Sequence, residues 1–284
     1  MMLSHLTNSI QKYQRRWLYG LMSLLMAVSI SLATPTPSHA GILDLIFNGV
    51  QYIQLSNLSD QNEVTLGRQI DQQIKRQGVR VYNRNPAIVD YVNQIGQRLA
   101  TTSDRPNLPY TVQVLEDNSV NASATMGGFL YVNTGLIRTA ANEAELAGVM
   151  AHEIGHITGR HAVNQMRERA IASGIAGAIG VNRDRLVNIG VQLALQMPNQ
   201  RADEYDADRR GFANMGRAGY DQSGFVTFMQ RLNNQSGRPP EFFSTHPDPS
   251  NRVTSLQNLL NAERNPAATA GLDANAYKAR ISGL

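Results

Sequence analysis

The sequence predicts an α+β domain that is mostly helical and carries a small mixed sheet. Apolar residues recur at helical spacing over residues 61–77, 86–100 and 142–157. Tyr110–Leu115 and Phe129–Val132 are short and rich in β-branched or aromatic residues, which is typical of strands. The 284 residues, of which 42% are hydrophobic, suffice for a targeting segment and one domain with a sizeable core.

Charge and cysteine content exclude two classes of protein. The formal net charge is +4, but residues 1–40 hold three bases and no acids, and removing them leaves 23 bases against 22 acids. No basic run stands out in the remainder, so no nucleic-acid partner is expected. The absence of cysteine excludes disulfides and a lipid-anchored cysteine, so the core and any metal must stabilise the domain.

Residues 1–40 have the pattern of a secretory signal peptide. Three bases precede the mostly apolar stretch 18–33, and Ser38-His39-Ala40 offers small residues at a cleavage site. The stretch has 16 residues, fewer than the roughly 20 that a spanning helix needs, which favours cleavage over a retained anchor. We therefore expect an exported protein, periplasmic or secreted. Arg15-Arg16 leaves the general secretory and twin-arginine routes both open.

Two further segments are predicted outside the central motifs. Residues 41–58 form an amphipathic N-terminal segment without Lys or Arg, which favours packing on the main domain or a partner over an anionic membrane. Peripheral membrane or envelope-complex association therefore stays open, and the oligomeric state is undetermined. Residues 170–181 are too short to span a bilayer and are interpreted as part of a helical hairpin or lid. A Pro-containing loop is predicted over Arg238–Asn251.

The motif His152-Glu153-Ile154-Gly155-His156 predicts a zinc site on a helix. Asn142 and Glu145 form a capping box at the start of that helix, with Glu145 expected to reach back to Asn142. Residues at i and i+4 share one face, so both imidazoles can bind one ion. Zn²⁺ suits two imidazoles and a carboxylate with water in the open position, and Glu153 would take a proton from that water. A chance match on an ordinary amphipathic helix is the alternative.

The third ligand distinguishes the classes of zinc protease. A metzincin needs H-E-x-x-H-x-x-G-x-x-H, but His161 arrives one residue early and is interpreted as a polar contact or a cap on the same helix. Glu204 and Asp208 lie at i and i+4 on a second predicted helix that begins near Arg201. Glu204 would bind zinc, and Asp208 would accept the free N–H of a ligating histidine. A solvated acidic face paired with neighbouring arginines is the alternative.

The ordered set of motifs resembles metallopeptidase family forty-eight, which includes the CAAX prenyl endopeptidases, the HtpX heat-shock proteases, the mitochondrial OMA protease and periplasmic BepA-like proteases. The resemblance covers roughly residues 58–260 and is carried by Asn121-Ala122, Gly127–Leu136, Glu143–Ala147, His152–His161, Glu204–Asp208 and Ser244–Pro247. The transmembrane helices of the first two branches and the TPR module of BepA-like members are not recognised. The resemblance is therefore to an exported, stand-alone BepA-like type.

The resemblance implies a zincin-like (gluzincin) fold over residues 59–284 and endopeptidase activity with one zinc ion per chain. It implies His152, His156 and Glu204 as ligands, Glu153 as the base, and Asp208 as the partner of a ligand. A stand-alone protease of exported-protein quality control, acting on unfolded or misassembled proteins, is the resulting expectation. A chaperone-like binding protein with structural zinc and a zinc hydrolase with a non-peptide substrate are the alternatives.

Candidate substrate-binding residues lie on both sides of the motif helix. Phe129–Val132 is short and flanked by glycines, so an edge strand beside the zinc is predicted; an ordinary core strand is the alternative. Its residues Phe129, Leu130 and Tyr131 join Asn121 and Arg252 as candidates. His246, in Ser-Thr-His-Pro, is predicted to act either as a donor to the transition state or as a plug of the resting zinc site. Arg252 would orient this loop or assist.

Overall fold

A computed structural model describes residues 58–172, 183–235 and 240–284. The signal peptide (1–40), nearly all of the amphipathic segment (41–58) and most of the predicted hairpin or lid (170–181) lie outside these residues. The helices are α1 (Asp60–Arg76), α2 (Pro86–Thr101), α3 (Thr134–Thr139), α4 (Glu143–Thr158), α5 (His161–Ala172), α6 (Arg183–Leu195), α7 (Arg201–Arg217), α8 (Ser223–Asn233), α9 (Glu241–Thr245), α10 (Pro249–Glu263) and α11 (Ala274–Arg280).

The sheet is small and mixed, as the sequence predicts. Its strands are β1 (Thr111–Leu115), β2 (Ala122–Thr125) and β3 (Phe129–Asn133), in the order β1-β3-β2. β3 pairs in parallel with β1 and antiparallel with β2. The prediction that residues 129–132 form an edge strand is therefore wrong: β3 is central and completely buried. The edge strand nearest the motif helix is β2, which the sequence pattern does not reveal.

Helix α4 forms the centre of the molecule. Every residue from Ala144 to Thr158 is buried, because α4 packs against α7, α8 and the sheet together. Glycines permit the close crossing with α7: a methyl group on Gly155 would lie 2.6 Å from the backbone oxygen of Ala207, and one on Gly211 would lie 2.8 Å from the backbone nitrogen of His152. Any side chain at these two positions would push the helices apart.

Asn142 is the N-cap of helix α4, and the predicted capping box is confirmed in part. The Asn142 side chain accepts a hydrogen bond from the backbone N–H of Glu145 at 2.9 Å. The Glu145 carboxylate reaches back one residue further than expected, to the N–H of Ala141 at 2.8 Å. The helix is therefore fixed at its start, which orients the face that carries the motif.

The predicted loop over Arg238–Asn251 is wrong in its extent. Glu241–Thr245 forms the short helix α9, and α10 already begins at Pro249, whose fixed φ suits the first turn of a helix. The turn between them includes Asp248 in the left-handed region, with φ 66°. Among the described residues, each helix is too short or too polar to cross a lipid bilayer.

Candidate active site

Four buried side chains converge where α4 crosses α7. His152, His156, Glu204 and His246 each offer a ligand atom within 4.8 Å of the others. The Nε2 atoms of His152 and His156 lie 3.1 Å apart, and Glu204 Oε1 lies 3.2 Å from His156 Nε2. His246 Nδ1 lies 3.3 Å from His152 Nε2 and 3.2 Å from Glu204 Oε1. The structure thus brings together the three predicted ligands and His246.

Two helices and one turn position these atoms. The i, i+4 spacing on α4 directs both imidazoles to one side, and the glycine-mediated crossing brings α7 close enough for Glu204 to face them. His246 follows α9 directly, and its ring stacks on Phe242 with centroids 4.3 Å apart. This stacking and the hydrogen bond from the His246 N–H to the Phe242 carbonyl (2.8 Å) hold the imidazole over the cluster.

Asp208 and Arg252 lie behind His152. His152 Nδ1 is 2.9 Å from Asp208 Oδ1, and the guanidinium of Arg252 donates two hydrogen bonds to the same carboxylate, at 2.7 and 2.8 Å. Arg252 also forms an ion pair with Glu204. A bidentate arginine–carboxylate pair is rigid, so it fixes the carboxylate that in turn fixes the His152 ring. Arg252 is fully buried, so a substrate could not reach it.

Burial and neighbouring charges strongly shift the pKa values of the clustered side chains. Burial and Arg252 disfavour protonation of His152, but hydrogen bonds to Asp208 and Glu204 outweigh both and raise its pKa to about 9. Burial lowers the pKa of His156 to about 3. Although burial alone would raise it, the pKa of Glu204 is held well below its usual value by His246 and Arg252. The carboxylate is therefore ionised at neutral pH and available to a cation.

Glu153 lies beside the cluster with one oxygen unpaired. The side chain is 1% exposed, and within the described residues its Oε1 atom makes no hydrogen bond; His246 Nε2 is 3.4 Å away. Burial raises the pKa of Glu153, with His246 and His152 opposing the rise. A buried carboxylate oxygen without a partner is costly unless water or a ligand satisfies it, so such an atom points to a functional role.

The cluster opens into a cleft beside the edge strand β2. Together with its open mouth the cleft occupies about 420 Å³, and its lining includes Ser123 and Ala124 of β2, Leu193 and Ala194 of α6, and Thr245. Among the described residues, strand β2 has a hydrogen-bonded neighbour on one side only, and α6 packs against it. The edge strand beside the site is therefore β2, residues 122–125, and not the predicted residues 129–132.

The predicted substrate-binding residues are not gathered at this cleft. Phe129 and Leu130 are buried in the two hydrophobic clusters of the core. Tyr131 points to α1, where its hydroxyl donates to Asp71 Oδ1 at 3.2 Å. Asn121 lies near the cleft, since its side-chain oxygen accepts from the backbone N–H of Ala122 at 3.0 Å and lies 3.5 Å from the Thr245 hydroxyl.

Two residues at the site were missed or misinterpreted in the sequence. Asn199 Nδ2 lies 3.4 Å from both His156 Nε2 and His246 Nδ1, but nothing in its sequence surroundings marks it. His161 does not cap the helix of the motif: it is the first residue of α5, and its Nδ1 lies 2.9 Å from Nδ1 of His156. The polar contact was predicted, whereas the partner and the separate helix were not.

A buried cluster of histidines and a glutamate on crossing helices, within a mostly helical α+β domain, is the arrangement of a zincin-like metallopeptidase. The chain belongs to Peptidase family M48, whose model matches residues 86–260. It is similar to the beta-barrel assembly-enhancing proteases of Yersinia pestis, at 28% identity over 93% of this chain and 57% of the relative, and of Escherichia coli (strain K12), at 28% over 81% and 50%.

A mitochondrial relative extends this comparison. The mitochondrial metalloendopeptidase OMA1 of Schizosaccharomyces pombe is 25% identical over 75% of this chain and 67% of its own length. The chain spans only 50 to 57% of the two bacterial relatives named above. Family membership therefore defines the class of enzyme, while substrates and partners require separate arguments.

Proposed function

We propose that this protein is a zinc-dependent endopeptidase that cuts unfolded or misassembled exported proteins, with residues 59–284 as its metallopeptidase domain. The observation that carries the proposal is Oε1 of Glu153, which makes no hydrogen bond among the described residues and is buried beside a four-donor cluster at the inner end of an open cleft. A purely structural metal site has no use for such a carboxylate.

The donor set fits Zn²⁺. Imidazole nitrogens with one carboxylate are typical of zinc sites, whereas Ca²⁺ and Mg²⁺ prefer oxygen ligands. We assign His152, His156 and Glu204 as the ligands, since Asp208 faces the rear nitrogen of His152 and Glu204 is ionised beside the guanidinium of Arg252. The raised pKa of His152, which contacts Asp208, applies to the metal-free protein. There a proton on the imidazole takes the place of the zinc ion.

When bound, the zinc ion supplies Lewis-acid polarisation of the scissile carbonyl and of the attacking water. Glu153 Oε1 accepts a proton from that water and delivers it to the leaving amine. A raised pKa suits a carboxylate that must both take and return a proton near neutral pH. Asp208 and Arg252 hold His152 in place throughout, and they do not touch the substrate.

Strand β2 would bind the substrate. An extended peptide can pair with the free edge of a strand, and main-chain pairing selects for unfolded segments rather than for a sequence. Residues Leu193 and Ala194 of α6 line the same cleft, so α6 must give way when a peptide enters. Unfolded chains should therefore be cut and rigid folded ones spared.

The test is degradation of unfolded casein by the purified protein, with and without a chelator, beside Glu153→Gln. This variant keeps the shape of the side chain but removes the base, so zinc content should stay near one per chain while turnover falls at least about 10²-fold. Glu168→Gln makes the same chemical change at an exposed position of α5 and should behave as the parent. Full activity in Glu153→Gln would remove Glu153 from the mechanism.

One observation favours a second candidate, a chaperone-like binding protein with structural zinc. His246 Nδ1 lies within the donor cluster, and four protein ligands would close the site. We propose instead that His246 is a plug of the resting enzyme, because it is carried by the turn after α9 and not by either of the two crossing helices that carry the other three donors. A parent protein that binds zinc and casein without cleaving would favour the second candidate.

The role in envelope quality control is inferred from the relatives named beta-barrel assembly-enhancing protease. It requires export, which the pattern of residues 1–40 supports. Expression of the full chain in a bacterial host, followed by fractionation and N-terminal sequencing, tests this part separately. A periplasmic chain beginning near Gly41 is expected, and an uncleaved cytosolic chain would contradict it. Washing of the membrane fraction would show peripheral association.

A further inference from the structure

The connection between α4 and α5 contains a residue in an unfavourable backbone conformation. Arg160 has φ 57°, in the left-handed region that residues other than glycine rarely adopt. The Arg160 N–H donates to the Ile157 carbonyl at 3.1 Å, and its side chain lies 3.2 Å from Glu63 Oε2. Such a conformation persists only when the surrounding structure enforces it, and strained residues cluster at functional sites. The position of the next residue, His161, is therefore relevant to the site.

The left-handed turn at Arg160 directs the side chain of His161 back towards the cluster of four donor side chains. Its ring meets that of His156 edge-on, with centroids 5.0 Å apart and Nδ1 2.9 Å from Nδ1. Its other nitrogen, Nε2, lies 3.3 Å from Oδ2 of Asp206 on α7. His161 is 4% exposed, so water does not compete freely for either contact.

Only one arrangement of protons is compatible with metal binding. His156 Nε2 faces the cluster and must carry a lone pair to bind zinc, so the proton of the neutral ring resides on Nδ1. His161 Nδ1 must then accept this N–H, which leaves the proton of His161 on Nε2, opposite the Asp206 carboxylate. The reverse direction of the contact would place a proton on His156 Nε2 and block the ligand atom.

We propose that His161 is a positioning residue for zinc binding: it accepts the Nδ1–H of His156, fixes that ring with Nε2 towards the metal, and is itself oriented by Asp206. This role deepens the proposed function and rests on the zinc site assigned there. It is the counterpart of Asp208 behind His152, with an imidazole inserted between ligand and carboxylate.

The test is zinc affinity in the full chain, measured by competition with a chromogenic chelator. His161→Leu fills the position with an apolar side chain of similar size but offers no hydrogen-bond acceptor, so zinc affinity should fall about 10–100-fold. His161→Asn places a carbonyl oxygen near the position of Nδ1 and should recover most of the loss. The absorption bands of the Co²⁺-substituted protein should shift in His161→Leu and return towards the parent in His161→Asn.

Two further variants guard against a purely structural effect. A methyl group at Gly159 would lie 2.4 Å from His161 Nε2, so Gly159→Ala should displace the ring and weaken zinc binding while the donor and acceptor groups stay the same. Thr158 lies two residues from His156, and its buried hydroxyl donates to the carbonyl oxygen of Gly155 at 3.1 Å. Thr158→Val removes this hydroxyl and should leave zinc affinity unchanged. The thermal unfolding midpoint of each metal-free protein controls for folding.

The outcomes separate this inference from the function on which it rests. If the parent binds no zinc, the proposed function fails. If the parent binds zinc and His161→Leu binds it equally tightly, His161 has no positioning role. If His161→Asn loses as much affinity as His161→Leu, the volume of the ring matters and the acceptor does not, which also overturns the inference.

Discussion

The two histidines of α4 face the same cluster but are supported from behind by different chemistry. His152 contacts Asp208, whose carboxylate is held by Arg252, and all three residues are at most 1% exposed. His156 contacts another imidazole, His161, which faces an aspartate, Asp206, whose side chain is 23% exposed. We call these the inner support and the outer support.

The difference shows how one site can depend on the fold to different degrees. In the inner support, removal of Asp208 leaves the buried Arg252 with one ionic partner fewer, which destabilises the whole protein. In the outer support, the ring next to the ligand is uncharged and the carboxylate is screened by solvent, so a change there should act on the metal more than on stability. Variants of the two supports, and of Glu204 beside both histidines, test this distinction.

Glu204→Ala should abolish stable zinc binding and, with it, peptidase activity. Its carboxylate lies 3.2 Å from His156 Nε2 and 3.5 Å from His152 Nε2, so its loss affects both histidines at once. Zinc per chain after dialysis, measured by plasma mass spectrometry, should fall from near one to near zero. A variant that retains full zinc affinity and activity would require another third ligand.

Asp208→Ala should damage both zinc binding and folding, whereas Asp206→Ala should spare folding. Loss of Asp208 should weaken zinc binding about 10–100-fold and lower the free energy of unfolding by about 3–5 kcal/mol, because Arg252 stays buried. Loss of Asp206, a partly exposed partner of Arg210, should cost at most about 1 kcal/mol. Urea unfolding of the metal-free proteins makes the comparison, and equal losses would abolish the distinction between the two supports.

His246→Ala should raise casein turnover and keep zinc bound, since His246 Nδ1 lies among the ligand atoms and belongs to neither support. If the plug is open in about 10% of the resting molecules, its removal should raise turnover by up to about tenfold. A fall in kcat of about 10²–10³ with zinc retained would instead make His246 a donor to the transition state. Unchanged zinc content and activity would leave it neither role.

Zinc affinity should rise with pH up to about pH 9, because the hydrogen bonds of His152 to Asp208 and Glu204 hold a proton on its ring. The pKa of His152 is about 9 in the metal-free protein, so below that pH a proton must leave before the lone pair can bind zinc. His156, with a pKa of about 3, has no proton to lose in this range. Release of one proton on binding means that zinc affinity rises up to about tenfold per pH unit. The number of protons released is measured by titration calorimetry in buffers of different ionisation enthalpy. A flat profile would contradict this account.

Local pattern predicted most of the elements and the ligand set. The spacing of His152 and His156 requires only that one helix forms, and Glu204 and Asp208 require only a second. That the domain contains a sheet followed from two recognisable strands. The third strand, Ala122–Thr125, is too short and too poor in β-branched residues to be identified by alternation, and without it the order of strands could not be deduced.

The assignment of Phe129–Val132 to an edge shows why such errors arise. Alternation indicates that a segment is a strand but not how many neighbours it has. Here β3 pairs on both sides, so its backbone has no free edge for a substrate, and Tyr131 points to Asp71 on α1. Substrate contacts predicted from that strand depended on its neighbours, which only the fold supplies.

The sequence by itself determined the motif helix, the cap at Asn142 and the spacing of the donor pair on α4, because each depends on residues within a few positions of one another. Tertiary structure alone decided which strand lines the cleft, that Arg252 is buried behind Asp208, and that a left-handed turn at Arg160 places His161 against His156. These relations join residues that are distant in sequence or lie across a turn, and they follow from helix crossings and strand pairings that periodicity does not encode.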